Sequence, residues 1–266
     1  MEAAVKEGNA ERLSELMSQD PTFDVNQQDV DGYTLLNQAC VSGTAAVIPL
    51  LLGHPGIDVN LKSLGGDTSF MNACFYGRTP CVREMLGDSR VKVNERNNGG
   101  HTPLRWVGFY GYLEILRWWM ASGRELDLGE AGDWWTDAVG QAREEGKTDE
   151  VTLLESFTES PEETRYHLRV ALGCCCRDEL AAEVFALVVF VSDGLLQAKG
   201  GGGGDTPIAA PTAASRFFGI ARRLPLELQM TVCHRLVGSG KDLVGGNLGE
   251  MAFKGLAKRI SSGTRR

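Results

Sequence analysis

Apolar residues recur at helical spacing along most of the chain, and polar, turn-like stretches break the pattern at a constant interval. Ile48, Leu51 and Leu52 make one apolar stripe and Leu113, Leu116 and Met120 another, each predicting a short helix with one buried face. Glu2 to Val5, then Gly8, then Leu13 and Leu16 predict that helix begins at once. Between the stripes Thr34, Thr68, Thr102 and Thr136 stand 34 residues apart. Asp24-Val25-Asn26, Asp58-Val59-Asn60 and Lys92-Val93-Asn94 keep the same phase, as do Ala39-Cys40 with Ala73-Cys74, and Gly43, Gly77 and Gly111. A unit of this length cannot bury its own apolar face. Copies must therefore stack into an elongated solenoid with one continuous core.

Gly32, Gly66 and Gly100 allow the positive φ of a tight turn, the Thr two residues on can cap a first helix, and Gly111 separates that helix from a second over Tyr112 to Met120. Each unit thus reads as a β-turn plus two antiparallel helices. Two repeat families share the period. The tetratricopeptide pattern needs a Trp, a Leu-Gly and a Tyr early in its first helix and a late Pro, and these are out of phase here. The Gly-x-Thr-x-x turn followed by helix, Gly and helix instead resembles the ankyrin repeat. Gly100-His101-Thr102-Pro103-Leu104 is the best single match, with Gly32-Tyr33-Thr34-Leu35-Leu36 and Gly66-Asp67-Thr68-Ser69-Phe70 looser. The family's His after this run is replaced by Asn37, Met71 and Arg105, which puts its inter-repeat hydrogen bonds in question. A fourth unit keeps Thr136 but has Trp134 where Gly is expected, and its Gly146 is one residue out of phase. The first residues read either as a half repeat capping the array or as the product of a truncated gene model.

The resemblance implies an all-α, ankyrin-type helix-turn-helix solenoid with a helical C-terminal extension. Ser160-Pro161-Glu162-Glu163 has the form of a capping box with Pro in the first turn, so the array is expected to end before it. Tyr166, Leu168, Val170 and Leu172 alternate as in a strand, but the cap favours helix, and a second helix is expected from about Asp178 to Gln197. The expected segments are residues 1–158 for the array (a half repeat, three clear repeats and a degenerate one), 160–199 for the extension, 200–215 for a Gly/Pro/Ala linker and 216–266 for a basic helical tail. In the tail, Leu224, Leu228, Val232 and Leu236 fall four apart after Pro225, and Asn247 with Glu250 marks one more helix start.

Composition narrows the function. Residues 216–266 hold 10 Lys/Arg against 3 Asp/Glu, net +7, whereas residues 1–215 hold 17 against 32, net −15. No nucleic-acid module surrounds the basic residues, so no nucleic acid is expected as partner. The longest apolar run, Val184 to Val191, spans 8 residues and predicts a buried helix, far short of the about 20 a membrane span needs. Seven cysteines form no paired framework; Cys40 and Cys74 suit packing at equivalent repeat positions, and Cys174-Cys175-Cys176 lacks metal-ligand spacing, with reversible acylation the minor alternative. A cytoplasmic or nuclear setting follows from unpaired thiols. Gly238-Ser239-Gly240-Lys241 misses the first Gly and the Ser/Thr of a phosphate loop. His54, His101, His167 and His234 lie far apart and in no nucleophile or metal motif, so neither catalysis nor a cofactor is expected.

In ankyrin-like arrays the partner lies across the turn tips and the exposed ends of the first helices. Carried over by position, that surface comprises Tyr33, Leu64, Asp67, Phe75, Tyr76, His101, Phe109, Tyr110, Trp134 and Trp135. Recurrent aromatics such as Phe75-Tyr76 and Phe109-Tyr110 offer rigid area for a partner protein; the alternative is that they pack on the next repeat, and the sequence leaves both open. Of Trp118 and Trp119, at least one is expected in the core, while Trp134 and Trp135 mark either a hot spot or a seam onto the helices after Ser160. The implied function is non-catalytic protein recognition. Leu224-Pro225-Leu226-Glu227-Leu228, continued by Val232 and Leu236, is also similar to the opening of an F-box, which implies as an alternative a substrate receptor that recruits a cullin-ligase adaptor. The same residues make a good start for any amphipathic helix, since Pro suits the first turn and Glu the positive end of the dipole.

Overall fold

Threonine hydroxyls start the first helix of each clear repeat. Thr34, Thr68 and Thr102 are the N-caps of α3 (Leu35–Ser42), α5 (Ser69–Phe75) and α7 (Pro103–Tyr110), each accepting a hydrogen bond from the backbone N–H three residues on. Gly43 and Gly111 close α3 and α7 in the left-handed conformation, at φ 82° and 75°. The computed structural model describes residues 1–20, 22–133, 135–192, 221, 226–237 and 246–263. All regular structure among them is helical.

The chain forms two compact units, Met1–Leu168 and Arg169–Arg266. In the first, α1 (Glu2–Lys6) and α2 (Ala10–Gln19) precede the repeats, and α4 (Ile48–Leu52), α6 (Thr79–Leu86) and α8 (Leu113–Ser122) are the second helices of the clear ones. A degenerate pair follows, α9 (Ala138–Glu144) and α10 (Thr148–Glu159), then α11 (Pro161–Leu172). Two layers result. The helices α1, α3, α5, α7 and α9 pack side by side, and α4, α6, α8 and α10 form the layer behind them. Leu36, Phe70 and Leu104 of the first layer and Ile48, Met85 and Leu116 of the second are buried between them. The Phe70 and Trp119 rings meet edge to face at 4.9 Å, so of the two adjacent tryptophans Trp119 is the core residue. Trp118 carries the Arg83 guanidinium over its ring, 4.0 Å from the centroid.

The fourth unit corrects the sequence reading. Its first helix is capped by Asp137, whose Oδ1 accepts from Gly140 N at 2.6 Å, and not by Thr136. Thr136 is buried and donates to Asp133 Oδ2 at 2.7 Å while accepting from Glu130 N at 3.1 Å. The cap and the later Gly146, which has a positive φ of 68°, both stand one residue beyond the 34-residue phase. Gly132, at φ 83°, supplies the positive φ in this turn.

The boundary between the units falls inside α11. Thr164, Tyr166 and Leu168 of that helix are buried, and helix, not strand, accounts for their alternation. In the second unit α12 (Arg177–Ser192) packs against α13 (Leu226–Leu236) and α14 (Gly246–Gly263). Phe185, Val188, Ala221 and Cys233 form its core, with Phe253 beside Phe185 at 6.0 Å. Glu179, almost fully buried, pairs with Arg169 at 2.9 Å and accepts from Cys176 N at 2.9 Å, which pins the turn through the three cysteines. The expected Gly-rich linker lies outside the described residues.

Candidate partner-binding surface

The turns that join one repeat to the next are locked edge to edge. In each, the glycine N–H closes a turn on the carbonyl three residues back, Gly32 on Asp29, Gly66 on Ser63 and Gly100 on Asn97. Neighbouring turns then bond directly, Leu64 N to Asp31 O at 3.1 Å and Asn98 N to Gly65 O at 3.1 Å. At Gly66, with φ 82°, an added Cβ would stand 2.5 Å from Asn98 N, so both the backbone conformation and the close approach require glycine.

A second ladder runs through the asparagines of the Val-Asn pairs. Asn26 Nδ2 donates to Gly56 O at 2.8 Å while its Oδ1 accepts from Asp58 N at 2.8 Å. Asn60 does the same to Arg90 O at 2.9 Å and Lys92 N at 2.8 Å, and Asn94 more loosely to Glu125 O and Asp127 N, both at 3.4 Å. The sequence showed these asparagines in phase without revealing their role. Asn37, at the position of the family's His, instead closes a capping box with Thr34, and Met71 is plain core. Arg105 does reach the next unit, donating from Nη2 to Gln141 Oε1 at 3.4 Å.

Upon this frame the first helices of the second and third repeats present a connected aromatic cluster. Phe75 packs edge to face on Trp106 at 4.9 Å and on Tyr110 at 5.5 Å. Trp106 also touches His101 at 4.9 Å and Phe109 at 6.2 Å, stacks on Tyr110 at 6.2 Å, and carries the Arg105 guanidinium 4.4 Å from its centroid. Tyr112 stacks on Tyr110 at 5.5 Å and covers Gly77. His101 in turn meets Trp135 at 4.9 Å. Trp106 is therefore the hub, and it was not among the residues singled out from sequence. Its signal was present: positions 106, 109 and 110 share one helix face.

The expected contact residues separate by exposure. Leu64, Trp135, Tyr76 and Tyr110 are open, at 73, 50, 42 and 38 %. Tyr33, Asp67, Phe75, His101 and Phe109 are half-buried. Phe75 thus packs on the next repeat, while its neighbour Tyr76 faces outward. Trp134 lies outside the described residues, as do Leu224 and Pro225. In α13, which carries Glu227 and Leu228, Val232 is half-buried, Leu236 is 58 % exposed, and Cys233 and His234 are buried.

Electrostatics follow burial. Burial pushes the Tyr33 hydroxyl above its ordinary pKa, aided by Tyr76 and by the carboxylates of Asp67, Asp31 and Asp29. Asp29 is held below the usual carboxylate range chiefly by the backbone N–H of Tyr33. His101 is held below 6.5 by burial and then by Arg105, with Asp67 opposing. A cleft of about 180 Å³ opens among Tyr33, Asp67, Asn72, Phe75, Tyr76 and Trp106.

Residues 31–61, which run from the tip of the first turn through α3 and α4 to the second turn, match the family described as ankyrin repeat. The solenoid is of the ankyrin type. No curated protein matches the chain. No helix among the described residues is long and apolar enough to cross a membrane. Among the same residues no group of three or more His, Cys, Asp or Glu is placed to hold a metal ion. Ankyrin repeats are typically interaction modules without catalysis, and the repeat supports a protein partner for this chain.

Proposed function

We propose that the array is a non-catalytic recognition module that grips a partner protein across its turn tips and the outward ends of α5 and α7. The supporting observation is the aromatic cluster: Tyr76, Tyr110 and Trp135 are exposed, yet each is braced by Phe75, Trp106 or His101. Braced aromatics lose little freedom when a partner covers them, which is why such residues dominate interface energetics. The absence of disulfides among the seven cysteines accords with work in a reducing compartment, cytoplasmic or nuclear.

The test is affinity purification with mass spectrometry on the full chain and on a variant carrying Tyr76→Ala, Tyr110→Ala and Trp135→Ala. The proteins recovered with the native chain are expected to be lost by the variant, whose thermal midpoint stays close to native. Retention of the same proteins would overturn the reading. Recovery of a cullin adaptor that disappears on Leu228→Asp would instead establish the F-box-like segment as the working surface.

A further inference from the structure

We infer that the cleft across the three clear repeats receives an arginine side chain from a basic segment of the partner protein. This rests on the array being a protein-recognition surface, and it names the chemistry that surface selects.

The walls of the cleft are aromatic, from Tyr33, Phe75, Tyr76 and Trp106. Its volume of 180 Å³ equals the room of about six waters, the scale of one long side chain. The Asp67 carboxylate faces this apolar setting with capacity left over. Asp67 accepts from Asn97 Nδ2 at 2.8 Å through Oδ1, and among the described residues its carboxylate makes no ion pair.

The ligand's charge follows from the surroundings. Residues 1–168 hold 27 acidic against 14 basic side chains, net −13, and Asp29 and Asp31 occupy the adjoining turn. An anion entering here would meet carboxylates at close range, and an apolar plug would cover the Asp67 carboxylate without a counter-charge. A cation satisfies the carboxylate. Between the two cationic side chains, guanidinium is planar, stacks on aromatic faces, and offers the Asp67 carboxylate a fixed fork of N–H donors. The array already makes such a contact internally, where Arg105 lies over Trp106. Arg105 itself donates to Gln141 and is not among the residues that line the cleft.

The test uses the full chain, isotope-labelled and followed by NMR, with three probes: N-acetyl-arginine methylamide, the lysine equivalent, and the citrulline equivalent, which keeps the shape without the charge. Capped arginine is expected to shift the Asn72 side-chain amide and the Trp106 indole N–H, with citrulline binding at least about tenfold more weakly. Asp67→Asn, which keeps an oxygen for Asn97, is expected to weaken arginine at least about tenfold at an unchanged thermal midpoint. Equal binding of citrulline, preference for lysine, indifference to Asp67→Asn, or absence of shifts at the cleft up to the solubility limit would each overturn the inference. The two readings fail differently. A partner lost by the aromatic triple variant but held at full strength by Asp67→Asn leaves the recognition surface standing and removes the arginine site. Arginine binding at the cleft with no partner lost by the triple variant does the reverse.

Discussion

The side-chain oxygen of Asn60 accepts from the backbone N–H of Lys92 at 2.8 Å, across 32 residues of sequence, while its nitrogen donates to Arg90 O at 2.9 Å. One amide thereby satisfies two backbone groups of the next repeat, and the register between repeats is set by a polar stitch as well as by the core. Asn60→Ala is expected to destabilise the chain by about 1–2 kcal/mol in urea unfolding. Asn94→Ala should cost less, because both of its bonds are 3.4 Å long.

Gly66 and Gly146 both have positive φ, but only one is crowded. An alanine at 146 meets nothing within 4 Å and should cost about 1–2 kcal/mol for the backbone conformation alone. At 66 the new Cβ would lie 2.5 Å from the Asn98 nitrogen, so the adjoining turn must move. Gly66→Ala is expected to cost at least about twice as much as Gly146→Ala by thermal unfolding, since it also breaks the bond between turns.

The two tryptophans Trp119 and Trp135 should behave oppositely. Trp119 is fully buried against Phe70, and Trp119→Ala is expected to cost about 3–5 kcal/mol. Trp135 is half exposed, and Trp135→Ala should change stability by less than about 1 kcal/mol while weakening partner capture. Equilibrium unfolding and quantitative pull-down on the same two variants check both halves.

His101 gives the surface a pH dependence. Burial, then Arg105, holds its imidazole below 6.5 in the folded chain, so the unfolded chain takes up the proton first as pH falls. Its contribution to stability is therefore present above pH 6.5 and declines from there down to the lower folded value. An NMR titration is expected to place the His101 midpoint below 6.5, and His101→Gln should flatten that part of the stability profile. A midpoint above 6.5 would contradict the assigned burial.

Local chemistry made much of this molecule legible. A threonine hydroxyl reaches the N–H three residues on whatever surrounds it, and glycine turns left-handed by itself, so Thr34, Thr68, Thr102, Gly43 and Gly111 marked the helices directly. Where the helix start stands one residue beyond the phase, Asp137 takes the cap from Thr136, and Gly146 out of phase was the visible trace. The helix over Pro161–Leu172 was likewise readable from its capping signal in spite of its alternating pattern.

What the sequence by itself determined was the repeat: its 34-residue period, its caps, its turns and the all-α stacking that a half-buried unit requires. Which aromatic would be hub, wall or open tip was decided only by tertiary structure. Phe75 and Tyr76 are adjacent in the chain, yet one packs on Trp106 and the other is 42 % exposed. The reason is physical: these contacts join residues about one repeat apart, and the cleft exists only where Tyr33, Asn72 and Trp106 from three successive repeats are brought within reach of one another. Periodicity states that such positions are equivalent, but packing gives each of them a different neighbour.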